Sequence, residues 1–300
     1  MNLQHYHKPI SGKAMGIGVF KDIFALSFAL LLLTGCAMSL PKGPEGGCAN
    51  EDFVTAVSAG KECLALKTTA GNSDYLVLYL HGDNIYKRPA DRDFNKLMAK
   101  NSVGLNQAHK IAIARPGHNL TNGLASTGDS CTKTICVLQK NVDSIAIAIN
   151  RLIQHYKPKH TTVIARSGGA GIIATILGKH PDVEINSALL LAGPYNQNQW
   201  LDTTYPDNKR QWLDPVYGVN NRSADEFIAG IRNDVAIYLV TGRNDTNVKT
   251  IVAQTYYDKL IKKGKNVVVI ETDSTHFGFE EDDNFVKIVD QVSQGKSVLK

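Results

Sequence analysis

The amino-acid sequence predicts an α/β fold: a mostly parallel central sheet, helices on both faces, and a small insertion over the loops at the carboxyl ends of the strands. Three observations predict it. Short, unbroken apolar runs recur along the chain, the form a strand takes when both of its faces are buried. Helical three- and four-residue spacings lie between several of these runs. Strand and helix thus alternate, which calls for crossover connections and a parallel sheet. The 300 residues are 43% hydrophobic and 20% charged, enough to bury one sizeable core.

The first such run, Tyr-Leu-Val-Leu-Tyr-Leu at 75–80, ends in His81-Gly82. Others follow at 111–114, 161–165, 187–192, 235–240 and 266–270. Val142, Ile145, Ile149, Ile153 and Tyr156 mark one helix between runs; Ile251, Val252, Tyr256 and Leu260 mark another, with Gly264 as its cap after Lys262-Lys263. Residues 193–234 separate two strands by more than a simple crossover needs. They hold both tryptophans, Trp200 and Trp212, with Tyr195, Tyr205, Tyr217 and Phe227. This segment is read either as a lid that shapes a pocket or as a helical insertion with a small core of its own.

Ahead of the domain, Ile23–Leu33 forms an apolar stretch too short to span a bilayer and of the right length for a signal-peptide core. Leu33-Thr34-Gly35-Cys36 follows and resembles the bacterial lipobox, in which the cysteine is lipidated and becomes the mature N-terminus. Met15 opens a tidier leader than Met1. The resemblance implies a signal peptide at 1–35 and a lipid on Cys36. It also implies attachment to a membrane of the cell envelope, facing the periplasm. Residues 36–70 are then a lipidated tether, rich in Gly and Pro up to residue 50, and an N-terminal segment; the main domain is 71–300.

Four cysteines remain, an even number that suits an oxidising compartment. Pairing by proximity gives Cys48–Cys63 and Cys131–Cys136; free thiols are the alternative. No Cys-x-x-Cys pair occurs, and no metal site is expected. The net charge is +5; three Lys and one Asp lie before Cys36, so the rest carries +3. That is too little, and too scattered, for a nucleic-acid partner.

The loops after the runs carry the chemical signal. Ala165-Arg166-Ser167-Gly168-Gly169 fits G-x-S-x-G with Ala in place of the first Gly, strand before and helix after. Small residues flank the serine because the turn is too sharp for larger ones. Here the chain resembles the α/β-hydrolase superfamily over roughly residues 75–290. His81-Gly82 looks like that superfamily's oxyanion loop, and Arg115-Pro116-Gly117-His118 like its Pro-Gly turn. Thr241–Asp245 follows the strand where the superfamily often keeps its acid, and Ser274–Gly278 the one where it keeps its histidine. The order Ser167, Asp245, His276 is the superfamily's order.

The resemblance implies a serine hydrolase with Ser167 as nucleophile, His276 as base and Asp245 as the orienting acid. Gly168 and Asp83 would supply the N–H groups of an oxyanion hole. Asp202, Asp207, Asp214 and Asp273 are rivals for the acid, and His118 for the base. The substrate expected is a small-molecule carboxylic ester, with a peptide, as in prolyl-oligopeptidase-like relatives, as the alternative. A catalytically idle binding lipoprotein is the reading from a different class. No cofactor is expected. Gly169-Ala170-Gly171-Ile172-Ile173-Ala174 also fits the dinucleotide pattern, but the next strand ends in Ala192-Gly193, without the acid that would hold a ribose.

Overall fold

The structure is a computed structural model that describes residues 47–83, 88–100, 102–129, 139–205 and 223–298. The leader, Cys36, Cys131, Cys136, Asp207, Asp214, Trp212 and Tyr217 lie outside the described residues. Eight strands form one sheet in the order β1-β2-β4-β3-β5-β6-β7-β8. They are β1 Ala56–Ala59, β2 Glu62–Thr69, β3 Asn72–Leu80, β4 Ala108–Ile113, β5 His160–Arg166, β6 Ser187–Leu191, β7 Ala236–Gly242 and β8 Val267–Thr272. From β4 through β3 to β8 every pairing is parallel.

Each of the six apolar runs is a strand of this parallel part. In β4 every residue is buried, and in β6 likewise. Such strands need cover on both faces. Two groups of helices provide it. In one, α3 (Gln139–Tyr156) touches α4 (Gly168–Lys179), and a 3₁₀ turn at Ala224–Gly230 links α4 to α6 (Thr250–Lys262). In the other, α2 (Val103–Gln107) packs on α7 (Asp283–Val292), and α1 (Arg92–Ala99) on a 3₁₀ turn at Phe279–Glu281. β8 is half-buried instead, because it is the edge strand with β7 as its one neighbour.

The helices behave as their spacing demands. Val142, Ile145 and Ile149 of α3 are buried, as are Val252, Tyr256 and Leu260 of α6. Ile251 points outward at 50% exposure, one position off the buried stripe. Gly264 ends α6 at φ +67°. Its N–H bonds to Ile261 O at 2.9 Å and that of Lys265 to Leu260 O at 3.0 Å, a Schellman closure that satisfies two terminal carbonyls.

The sheet also takes in residues 56–69, which the sequence pattern assigns to the segment ahead of the domain. β1 and β2 form an antiparallel hairpin, with Ala59 opposite Glu62 and Gly60 at φ +70° in the turn. β2 then pairs antiparallel with β4. In this hairpin β1 alternates in burial, and the apolar residues of β2 are confined to Cys63–Leu66 between Glu62 and Lys67. A disulfide joins Cys48 to Cys63, tying the segment ahead of β1 to β2.

The strand order fixes where a crevice can open. The chain leaves β3, forms β4 on one side, then crosses to β5 on the other side. The loops after β3 and β5 therefore part at their carboxyl ends, where sheets of this kind bind their ligands.

The Cys48–Cys63 link closes a separation of 15 residues, which corresponds to about 3 kcal/mol on chain-entropy grounds. The Cys48→Ser/Cys63→Ser variant is expected to lose about that much stability. Urea unfolding without reductant, with the same protein reduced as a control, measures it.

Candidate active site

Ser167 sits in the turn between β5 and α4 with φ 49° and ψ −125°. A β-substituted residue in that region costs about 1–3 kcal/mol of strain. The turn holds because its ends are fixed: Ser167 N–H bonds to Leu191 O at 2.7 Å, and Gly171 N–H to Ser167 O at 3.1 Å. Neighbouring chain comes very close. A Cβ on Gly82 would lie 2.8 Å from Ser167 Cβ, and one on Gly169 would lie 2.4 Å from His81 O. The glycines around the serine are thus required by contact, and they bring the loop after β3 against the serine.

His276 lies on the loop after β8. Its Nε2 is 3.2 Å from Ser167 Oγ, and its Nδ1 is 2.9 Å from Asp245 Oδ2. Asp245, on the loop after β7, has a fully buried side chain. Its Oδ1 accepts the N–H of Asn247 at 2.8 Å and of Val248 at 2.9 Å. A carboxylate with those donors is an acceptor only, so Nδ1 of His276 carries the proton. Nε2 is then free to accept from the serine hydroxyl. Three residues from three separate loops form one hydrogen-bonded chain.

The rivals lie elsewhere. Asp273 is exposed and pairs with Arg243 at 2.6 Å. Asp202 is exposed on α5 (Gln197–Thr204). His118 packs its ring against His81, centroids 4.6 Å apart, with Nδ1 3.0 Å from Pro116 O.

Gly168 N–H opens α4 and so has no acceptor within the helix. Asp83 follows His81-Gly82, and its carboxylate bonds to Arg115 Nη1 at 2.8 Å. His81 is locked in one tautomer. Its Nε2 accepts Arg115 N–H at 3.0 Å, so its Nδ1–H donates to Gly82 O at 2.7 Å. Burial, aided by the neighbouring His118 and Arg115, holds its pKa well below the usual histidine value.

Arg166, next to the serine, is buried rather than open to a ligand. It bonds to Asp93 of α1 and to the carbonyl of His276, and lies 3.5 Å from Glu280. Its guanidinium sits 4.7 Å from the centre of the Phe277 ring. Burial raises the Glu280 pKa. The sequence carried no sign of this anchoring, because its partners are 73, 110 and 114 residues away.

A cavity of about 350 Å³ opens over Ser167 and His276, with Arg88, Arg92, Trp200, Tyr205, Asn247 and Phe277 in its walls. Trp200 and Tyr205 come from the 193–234 insertion, so its described part does shape the pocket. Tyr195 and Trp200 also belong to the same buried core as the sheet. Trp200 is pinned by a bond from its Nε1 to Asn247 O at 2.6 Å. Among the described residues no cluster of His, Cys, Asp and Glu is arranged to hold a metal ion.

No family model and no curated protein matches the chain. Solved structures do. The chain resembles the esterase Pf2001 of Pyrococcus furiosus at 17% identity and TM-score 0.57, over 83% of this chain and 95% of that one. It resembles Est1E of Butyrivibrio proteoclasticus, solved with ferulic acid bound, at 13% identity and TM-score 0.55, over 81% and 97%. It also resembles the acylaminoacyl peptidase of Pyrococcus horikoshii at 12% identity and TM-score 0.57, over 76% of this chain and 39% of that one. The chain has the α/β-hydrolase fold.

Burial lowers the pKa of His118, His109 and His160 as well as that of His81. Below the ordinary histidine value of about 6.5 the unfolded chain binds protons that the folded chain refuses. Stability is therefore expected to hold above about pH 7 and to fall as pH drops through 6.5. Urea midpoints from pH 8 to 5 check this, and His118→Gln should flatten the decline.

Proposed function

We propose that this chain is a serine hydrolase acting on a carboxylic ester. The observation that carries the reading is the hydrogen-bonded chain from Ser167 through His276 to Asp245, built on a strained turn beside a cavity. A serine hydroxyl is a poor nucleophile until a base takes its proton. Ser167 Oγ attacks the acyl carbon while its proton passes to His276 Nε2. Asp245 holds the imidazole in the tautomer that can accept, and stabilises it once charged. The N–H groups of Gly168 and Asp83 receive the oxyanion. His276 returns the proton to the leaving group, and water then hydrolyses the acyl-enzyme by the same steps.

The ester is preferred to the peptide on two grounds. The esterase neighbours match over nearly their whole length, whereas the peptidase extends far beyond the part this chain resembles. An alcohol also leaves an acyl group more readily than an amine does. Peptide cleavage is the second outcome of the substrate screen.

The same proposal places the protein on a membrane of the bacterial envelope, on its periplasmic side, through a lipid on Cys36. One acyl chain binds reversibly, so stable attachment needs more than one. Cys36→Ala is expected to abolish incorporation of labelled palmitate and to release the protein from membranes. Undiminished labelling would remove Cys36 from the account.

With p-nitrophenyl esters, Ser167→Ala and His276→Ala are each expected to lower kcat by about 10⁵- to 10⁶-fold, and the double variant to be little worse, because the pair acts as a unit. Asp245→Asn is expected to cost about 10⁴-fold, since it keeps the geometry and loses the tautomer. Thermal melts of the same variants separate lost chemistry from lost fold. Turnover of aminoacyl amides but not esters would favour the peptidase. Absence of turnover by the wild-type protein would favour the binding module, and turnover that survives Ser167→Ala would remove Ser167 as the nucleophile.

A further inference from the structure

The oxyanion loop contains a charge that opposes its task. A Cβ built on Gly168 would lie 2.4 to 2.6 Å from the Oδ2, Oδ1 and Cγ atoms of Asp83. The carboxylate therefore rests against the residue whose N–H is assigned to the oxyanion. Alone, it would repel the negative charge that forms there, in a setting where burial weakens solvent screening. Its charge reaches further into the cavity too, where Asp83 adds to burial in raising the Tyr205 pKa.

We propose that Arg115 is a positioning residue for the oxyanion site, which it serves by cancelling the Asp83 charge and clamping the loop. The inference rests on the hydrolase reading. Arg115 is 1% exposed, and it holds the loop at two points. Its side chain donates to Asp83 Oδ1 at 2.8 Å, and its backbone N–H donates to His81 Nε2 at 3.0 Å. His81 in turn bonds to Gly82 O, and Gly82 is the residue pressed against Ser167. The turn after β4 thus reaches the nucleophile through the oxyanion loop. Arg115 is not among the residues that line the cavity over Ser167 and His276, and it bonds to Asp83 and His81, so it acts through them. Its side chain neutralises a carboxylate that the loop geometry places beside the reaction.

The test is a charge rescue. Arg115→Met is expected to lower kcat about 100-fold, the order of losing one oxyanion donor, with KM changed less than about threefold. Asp83→Asn/Arg115→Met removes both charges and keeps the backbone N–H of residue 83. It is expected to regain at least about tenfold in kcat over the single variant, since a pair that shares one interaction is non-additive. A purely structural arginine would give a double variant as slow as the single one, and that result would overturn the proposal. So would an Arg115→Met enzyme with wild-type kcat. If the melt shows Arg115→Met unfolded, Arg115→Gln takes its place, and the same rescue by Asp83→Asn is required. Labelling of the wild-type enzyme by a fluorophosphonate tells the two levels apart. Without labelling at Ser167, the hydrolase reading and this inference fall together; with labelling but no rescue, the Arg115 inference alone falls.

Discussion

The site depends on one backbone constraint, the turn at Ser167. A non-glycine residue at φ 49° and ψ −125° is held there by its bonds to Leu191 and Gly171 and by the ends of β5 and α4. The strain lifts the hydroxyl out of the sheet and into the crevice where β3 and β5 part. It also dictates what can surround it. Gly82 and Gly169 are close enough to neighbouring atoms that a methyl group would collide. Removing those methyl groups is what allows the loop after β3 to approach the serine, and that approach creates a candidate oxyanion site.

Around this turn the described buried charges are tied to partners. Asp245 is satisfied by His276 and two backbone N–H groups. Arg166 is held by Asp93 and by the carbonyl of the histidine it helps to place. Asp83 is matched by Arg115. Breaking one member of such a pair leaves a buried charge uncompensated, which costs far more than the pair contributes. Substitutions at these arginines should therefore be read through what they leave behind.

The sequence made the central strands legible because burial on both faces produces unbroken apolar runs, from Tyr75–Leu80 to Asn266–Ile270. It also singled out Ser167, Asp245 and His276, through a motif and a chain order that resemble the α/β-hydrolase superfamily, and the structure brings them into one hydrogen-bonded chain. The β1–β2 hairpin stayed hidden because its apolar stretches are short: β1 alternates and includes Ala56 and Ser58, and Cys63–Leu66 of β2 is cut off by Glu62 and Lys67. The pairings Arg166–Asp93 and Arg115–Asp83 stayed hidden for another reason. Partners 73 and 32 residues apart leave no local pattern, and only the fold brings them together. The aromatic segment at 193–234 announced a role but not its division: Trp200 and Tyr205 face the cavity, while Tyr195 stacks on Tyr256 at 4.5 Å in the core.

The central claim is that the strained turn and the histidine together make Ser167 a nucleophile. The most direct measurement is to treat the intact protein with a fluorophosphonate and map the adduct by mass spectrometry. The account predicts one adduct, on Ser167, that disappears in His276→Ala while the fold is retained. An adduct on a different serine, or labelling of Ser167 that persists undiminished in His276→Ala, would contradict it.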